Sequence, residues 1–408
     1  MAFRFLDLPP ELRESVYTLL LNPSVFRRRL PEHYFEYDFS AALKLLKTNR
    51  QIYHEARKLF RKLNPFVRIE TPWHDAQHHL KFDGHVPILL QDERADAFDD
   101  ATLEITIVSP RVPFEQGEMH RFVIHVDDLD AFCKSWFYSD LTYPYLNKNL
   151  DCELTLRDPY APDDVEDHPL PLALQRRLLL PFSQIKGLKA FTLQGPASRF
   201  LDKPLEEELR AGMAVPYMSA EDCLSRATKL KDEGNAALQA GRYEHALELY
   251  REGFRAMHIV ILGRHRYIRG DRHFDRLMAP GSEYGDQHGQ SVRLILRVRL
   301  VANTVLAYSK LKDYEEAAFW GMRSVNMLRE AMGVVEGQEL RPEDEAVPNF
   351  PAASEMGKIY YWTALACKKL YNKTEARRLL RVAQIYLPND ESVKKEIAAC
   401  ALKLNRVI

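Results

Sequence analysis

Residues 230–250 read LKDEGNAALQAGRYEHALELY, with small residues at Gly234 and Ala246, twelve positions apart, and Tyr243 and Tyr250 beside them. The same spacing returns between Val305 and Ala317 and between Ala364 and Ala376. Each pair sits in two short amphipathic segments joined by a tight turn: QAGRYEHA, KLKDYEEA and LYNKTEA. Small residues at these places let two helices approach closely, while aromatics fill the gaps between one pair and the next. This predicts a helix–turn–helix repeat of about 34 residues in three copies, enough to stack a continuous core.

The copies are unevenly spaced. Ala246 and Ala317 are 71 residues apart, and Ala317 and Ala376 are 59 apart, so both connections carry insertions. The first, GRHRYIRGDRHFDRLMAPGSEYGDQHG, is basic and Gly-rich; the second, VVEGQELRPEDEAVPNFP, is acidic and Pro-rich. Helix extension followed by a loop is expected to absorb each. His265, His273 and His288 in the first insertion, with His258 just before it, are spread among arginines and read as a solvated surface.

The remaining chain has two other textures. Residues 1–66 read as helical, with Pro9 and Pro10 suited to a first helical turn and Leu12, Val16, Leu19 and Leu20 at helical spacing. In AALKLLKTNRQIYHEARKLFRKL, Leu45, Ile52, Ala56 and Leu59 form a second apolar stripe. Over 67–205 the period changes: TLEITIV, HRFVIHV, DCELTLR and LKAFTLQ read as strands. DLDAFCKSWFYSDL and LALQRRLLLPFSQI between them carry helical spacing, which favours crossover units and a partly parallel sheet. RDPYAPDDVEDHPLP reads as an exposed loop. The expected architecture is mixed: an N-terminal helical region (1–66), an α/β region (67–205) and an all-α solenoid (219–405).

Composition narrows the function. Of 408 residues, 57 are Lys or Arg and 58 are Asp or Glu, so no charge excess favours nucleic acid or an anionic membrane. Five scattered cysteines form no CxxC pair and read as reduced thiols. No apolar run reaches membrane-spanning length, and Pro-Pro and charges stand where a signal peptide needs an apolar stretch. A cytoplasmic or nuclear protein is expected, with neither nucleic acid nor membrane as partner.

Signals for catalysis are sparse. PWHDAQHHLKFDGH places His74 and His78 four apart, with His79 and His85 following, but no Glu or third ligand completes a metalloprotease pattern. A polar loop holding histidines is the expectation, and no metal site or cofactor is expected. GxGxxG after a strand, GxxxxGK[ST] and GxSxG do not occur. A Cys–His nucleophile would need partners close only in space, and the sequence nominates none. Binding, not catalysis, is expected.

LKDEGNAAL, ANTVLAYSKLKDYEEA and Pro388 after the third copy make the C-terminal region resemble the tetratricopeptide repeat (TPR) family, and more narrowly the TPR domains of immunophilin-type co-chaperones. That resemblance implies a right-handed solenoid whose concave groove holds peptides or partner helices. In such co-chaperones a clamp of Lys, Asn, Asn, Lys and Arg holds the C-terminal carboxylates of acidic heat-shock chaperone tails. Matching the small-residue anchors puts Lys231, Asn235, Asn303 and Lys358 on the first four clamp positions, and Trp362 where the family has Arg. The alternative is that the lysines are solvated and the asparagines satisfy local backbone.

FRFLDLPPELRESVYTLLL and LLKTNRQIYHEARKLF resemble F-box-like regions of filamentous-fungal proteins. An F-box docks on the Skp-type adaptor of cullin ubiquitin ligases, which implies contact through Leu8, Pro9, Leu12 and Val16; the alternative is that these residues are plain helical core. This copy departs from the F-box pattern in an enlarged stretch between its helices, containing RRR and several aromatics. Two partner classes follow: a ligase adaptor with a substrate in the groove, or a chaperone tail in the groove.

Overall fold

The computed structural model describes residues 4–31, 34–109, 119–161, 169–335, 338 and 340–401. The chain divides into two compact units, Met1–Tyr217 and Met218–Ile408. Residues 162–168 of the loop expected at 157–171 lie outside the described residues, as do parts of the second insertion and the residues after 401.

The first unit opens with α1 (Pro10–Leu21) and α2 (Pro23–Phe26). The RRR stretch then forms a hairpin of β1 (Arg27–Arg29) and β2 (Phe35–Tyr37), followed by α3 (Ser40–Leu46) and α4 (Arg50–Leu63). Asn49 caps α4 by accepting from the Ile52 N–H at 2.9 Å. The α4 stripe is buried as expected through Ile52, Ala56 and Leu59. On α1 the expected stripe is not the core. Arg13, Tyr17 and Leu21 are buried instead, whereas Leu12, Leu19 and Leu20 are 52%, 73% and 49% exposed. The reason is an ion pair: Glu55 on α4 receives both Arg13 Nε (2.9 Å) and Nη2 (2.6 Å), with the Tyr17 hydroxyl donating at 3.1 Å. A buried charge is tolerable only when so paired, and once Arg13 faces α4, its leucine neighbours turn outward.

A six-stranded mixed sheet follows. In chain order its elements are β3 (Phe66–Thr71), α5 (Ala76–Phe82), β4 (Leu90–Gln91), α6 (Glu93–Asp96), β5 (Ala101–Val108) and β6 (His120–His125). Then come α7 (Leu129–Thr142), β7 (Asp151–Leu156), α8 (Leu172–Leu179), β8 (Ala190–Gln194) and α9 (Lys203–Ala214). The strand order is β4-β6-β3-β5-β7-β8; β3 pairs with β5 and β7 with β8 in parallel, and the other ladders are antiparallel. Val67, Ile69, Leu103, Ile105, Phe122 and Leu154 are buried in its core.

The expected boundary near 66 is not a break. Phe39 and Phe60 of the helical region pack on Phe66 of β3. Across the same junction Arg27 reaches Asp128 at 2.8 Å and the Tyr37 hydroxyl donates to it at 2.7 Å. The enlarged connection between the helices is therefore the joint that makes residues 1–217 one unit.

The second unit consists of helical hairpins. They are α10 (Ala220–Gln239) with α11 (Tyr243–Ala256), α13 (Gly289–Leu311) with α14 (Tyr314–Ala331), and α16 (Ala353–Lys369) with α17 (Lys373–Tyr386). Of the remaining elements, β9 (Ile259–Leu262) stands just before the first insertion, β10 (His265–Ile268) and α12 (Asp271–Phe274) lie in it, α15 (Pro342–Glu345) lies in the second, and α18 (Glu391–Ala401) closes the series. Ser219 caps α10. Each hairpin packs on the next, with α10 against α13 and α13 against α16.

Gly234, Ala246, Val305, Ala317, Ala364 and Ala376 are all buried. A Cβ on Gly234 would overlap the Tyr250 ring, so only glycine admits that tyrosine. The three turns share one geometry. Gly241, Lys312 and Tyr371, each five residues before the second small residue, have φ of 75°, 64° and 64°. The N–H after each reaches back to a carbonyl near the end of the preceding helix, from Arg242, Asp313 and Asn372 to Ala237, Tyr308 and Cys367 respectively.

The insertions depart from the expected extension plus loop. The first pairs β10 with β9, which precedes it, and contains α12. In the second α14 does run on to Ala331, but α15 then anchors the connection: Glu345 is fully buried and accepts from the Tyr360 hydroxyl (2.9 Å) and Arg378 Nη1 (2.6 Å).

Candidate partner-binding site

Two surfaces collect the residues singled out from sequence. On the helical unit, Lys231 and Asn235 lie on α10, Asn303 on α13, and Lys358 and Trp362 on α16, the first helices of the three hairpins. Asn235 and Asn303 meet: Asn235 Oδ1 accepts from Asn303 Nδ2 at 2.6 Å and from the Tyr250 hydroxyl at 3.0 Å. Two donors on one oxygen fix the amide's orientation and commit its acceptor, leaving the Asn235 amide hydrogens as donors for an incoming acceptor. The asparagines therefore bond to each other across neighbouring hairpins and not to local backbone. Lys231 pairs with Asp232 at 3.0 Å. Lys358 is exposed, and Trp362 is half-buried at the rim of the core, edge-on to Tyr361 at 5.0 Å. Among the described residues no hydrogen bond or ion pair ties Lys358 or Trp362 to the asparagine pair.

On the first unit, Pro9 and Leu12 are exposed while Leu8 and Val16 are half-buried. Leu19, Leu20, Val25 and Leu43 are also exposed, so this region presents many more leucines to solvent than a plain core helix would.

The histidine-rich stretch is short helix as well as loop, and its residues are spent separately. His79 Nδ1 bonds Asp83 at 2.9 Å and its Nε2 meets Ser139 at 3.2 Å, His74 pairs with Asp75, and His78 lies against Phe82. A largely apolar cavity of 590 Å³ beside His79 is lined by Trp73, Leu80, Phe132 and Trp136.

Cys223 Sγ lies 3.8 Å from His258 Nε2, but the four buried thiols shift away from activation. Burial pushes the Cys133 and Cys152 thiols up, and those of Cys223 and Cys367 up to about 11; an activated thiol moves the other way. The expectation of solvated histidines in and just before the first insertion fails for two of them. His258 and His273 are half-buried, and with Cys223 they form the one group of potential metal ligands found among the described residues. Sequence spacing held no signal for this, because its members come from α10, the turn after α11, and α12.

No family model matches the chain. Among solved structures, the C-terminal TPR-containing domain of an FK506-binding protein of Plasmodium falciparum aligns with 46% of this chain and 93% of its own length, at 17% identity and a TM-score of 0.30. The hairpin repeat rests on the buried small-residue pairs and the shared left-handed turn, not on that alignment. Among the described residues no helix is long and apolar enough to cross a membrane.

Proposed function

We propose that this protein is a non-catalytic adaptor of the cytoplasm or nucleus, acting as an F-box-like, TPR-type substrate receptor of a cullin-type ubiquitin ligase. In this reading the N-terminal helices dock a Skp-type adaptor and the helical hairpins hold the target. The observation that carries it is the leucine face of α1, exposed at Leu12, Leu19 and Leu20 because Arg13 and Tyr17 occupy the inward face. Raised thiol pKa values argue against a cysteine nucleophile and support the non-catalytic half of the proposal.

The test uses the full chain, because residues 1–66 share a core with the sheet and their deletion would unfold both. Leu12→Asp and Leu20→Asp should abolish capture of a purified Skp-type adaptor while leaving the circular dichroism spectrum unchanged. Failure of the unmodified protein to capture the adaptor removes the ligase reading.

The Asn235–Asn303 pair favours a second reading, a receptor for the acidic C-terminal tails of heat-shock chaperones. Preset amide donors, with Lys231 on the same helix as Asn235 and Lys358 on the third hairpin, suit a carboxylate, but Trp362 replaces a cationic donor with an apolar face and a single N–H. Trp362→Arg should tighten binding of a free-carboxylate tail peptide about tenfold or more, since a hydrogen bond to a charged group contributes roughly 1.5–3 kcal/mol. Calorimetry against the amidated peptide decides it: equal affinity for both peptides sinks the clamp.

A further inference from the structure

The geometry points to a zinc-class metal site built from Cys223, His258 and His273 in the second unit. Their ligand atoms all lie within 4.8 Å of one another. Cys223 Sγ stands 3.8 Å from His258 Nε2, and the two imidazoles meet edge to face with ring centroids 5.6 Å apart. These spacings are slightly wider than a tetrahedral ion requires, and small side-chain rotations close them. One thiolate with two imidazoles is a donor set that suits Zn²⁺ and excludes hard, oxygen-seeking ions such as Mg²⁺ and Ca²⁺.

His273 supplies the observation that separates a site from a chance cluster. One of its ring nitrogens bonds the backbone carbonyl of Met218, which fixes the tautomer. The other, Nε2, is buried and has no hydrogen-bond partner. A buried, lone-pair-bearing nitrogen without a donor is costly, and a metal ion satisfies it; the carbonyl on the far nitrogen is the usual orienting contact of a ligating histidine. His258 is presented by a left-handed residue conformation, φ 56°, directly after α11.

The surrounding charges are compatible with a cation. Arg276 is paired with Glu221 at 2.9 Å and Arg293 with Asp271 at 2.8 Å, and Arg226, which also acts on Cys223, is exposed to solvent. On binding, the Cys223 S–H bond breaks, its proton leaves to solvent, and the sulfur lone pair forms the metal bond. Three protein ligands leave a fourth position for water. Cys223 belongs to the first turn of α10, His258 follows α11, and His273 belongs to α12. The ion would therefore fasten the first inter-repeat insertion to the first hairpin.

The test is titration of the chelator-treated full chain with Co²⁺, then with Zn²⁺. One Co²⁺ per chain should give the intensified visible bands of tetrahedral cobalt and a thiolate-to-cobalt charge-transfer band, both bleached by Zn²⁺. Cys223→Ser should lose the charge-transfer band, and Cys367→Ser should keep it. His273→Gln should weaken cobalt affinity by more than about tenfold and abolish the rise in Tm that Zn²⁺ gives the unmodified protein. If Cys223→Ser does not fold, the His273→Gln comparison decides alone. Absence of tetrahedral bands, a charge-transfer band that survives Cys223→Ser, or unchanged affinity in His273→Gln overturns the proposal.

Discussion

The two units of this chain are held together by different kinds of contact. In the first, strands distant in sequence lie side by side: β6 sits between β3 and β4, and Arg13 is tied to Glu55 from another helix. In the second, the two helices of every hairpin pack on each other, their paired small residues buried, and then meet the neighbouring hairpin. The difference teaches where stability resides. The hairpin unit depends on close approach at a few small residues, with the buried Glu345 tying an insertion to Arg378, whereas the sheet unit depends on pairing between strands and side chains distant in sequence.

The largest expected effect tests whether an insertion belongs to the repeat framework. Glu345→Ala should cost the second unit about 3–5 kcal/mol, because it strips a fully buried carboxylate from Tyr360 and Arg378. Calorimetry should show that transition move while the first unit's stays in place. A loss near zero would make the insertion mere decoration. Next, Ala317→Leu should overpack the second hairpin by about 1–3 kcal/mol, read as a shift in the urea midpoint; tolerance would mean the close approach is not needed there.

The first unit should answer to acid instead. The two-pronged bond from Arg13, aided by Gln51, holds Glu55 down at about 2 against an ordinary 4.5. The folded state thus binds fewer protons than the unfolded one between those values. Its stabilising effect is complete above about 4.5 and is lost as pH falls towards 2. Arg13→Ala should flatten that slope in denaturant midpoints taken across the window; an unchanged slope assigns the acid sensitivity elsewhere.

The smallest effect sharpens the turn geometry. Tyr371 holds a left-handed conformation that Gly241 adopts without strain in the first hairpin. Tyr371→Gly should therefore stabilise by about 0.5 kcal/mol, the relief of strain partly offset by chain entropy. Gly241→Ala should destabilise by about 1 kcal/mol. Paired thermal melts check both.

Much of the second unit was legible because its rule is local. A spacing of twelve between small residues follows directly from two helices and a turn, and no distant contact is needed to read it. Only the tertiary structure decided the rest. The α1 stripe misled because periodicity assumes that charges face water, and the partner that buries Arg13 is 42 residues away. The candidate clamp was legible as positions, but the Asn235–Asn303 bond spans 68 residues and exists only once hairpins stack. Cys223, His258 and His273 left no sequence signal at all, since a coordination set is defined by distances in space. Sequence by itself determined the repeating hairpins and the mixed class of the chain. Which faces are buried, and which side chains meet, was decided by packing, because burial and electrostatic pairing act between residues that the chain alone does not bring together.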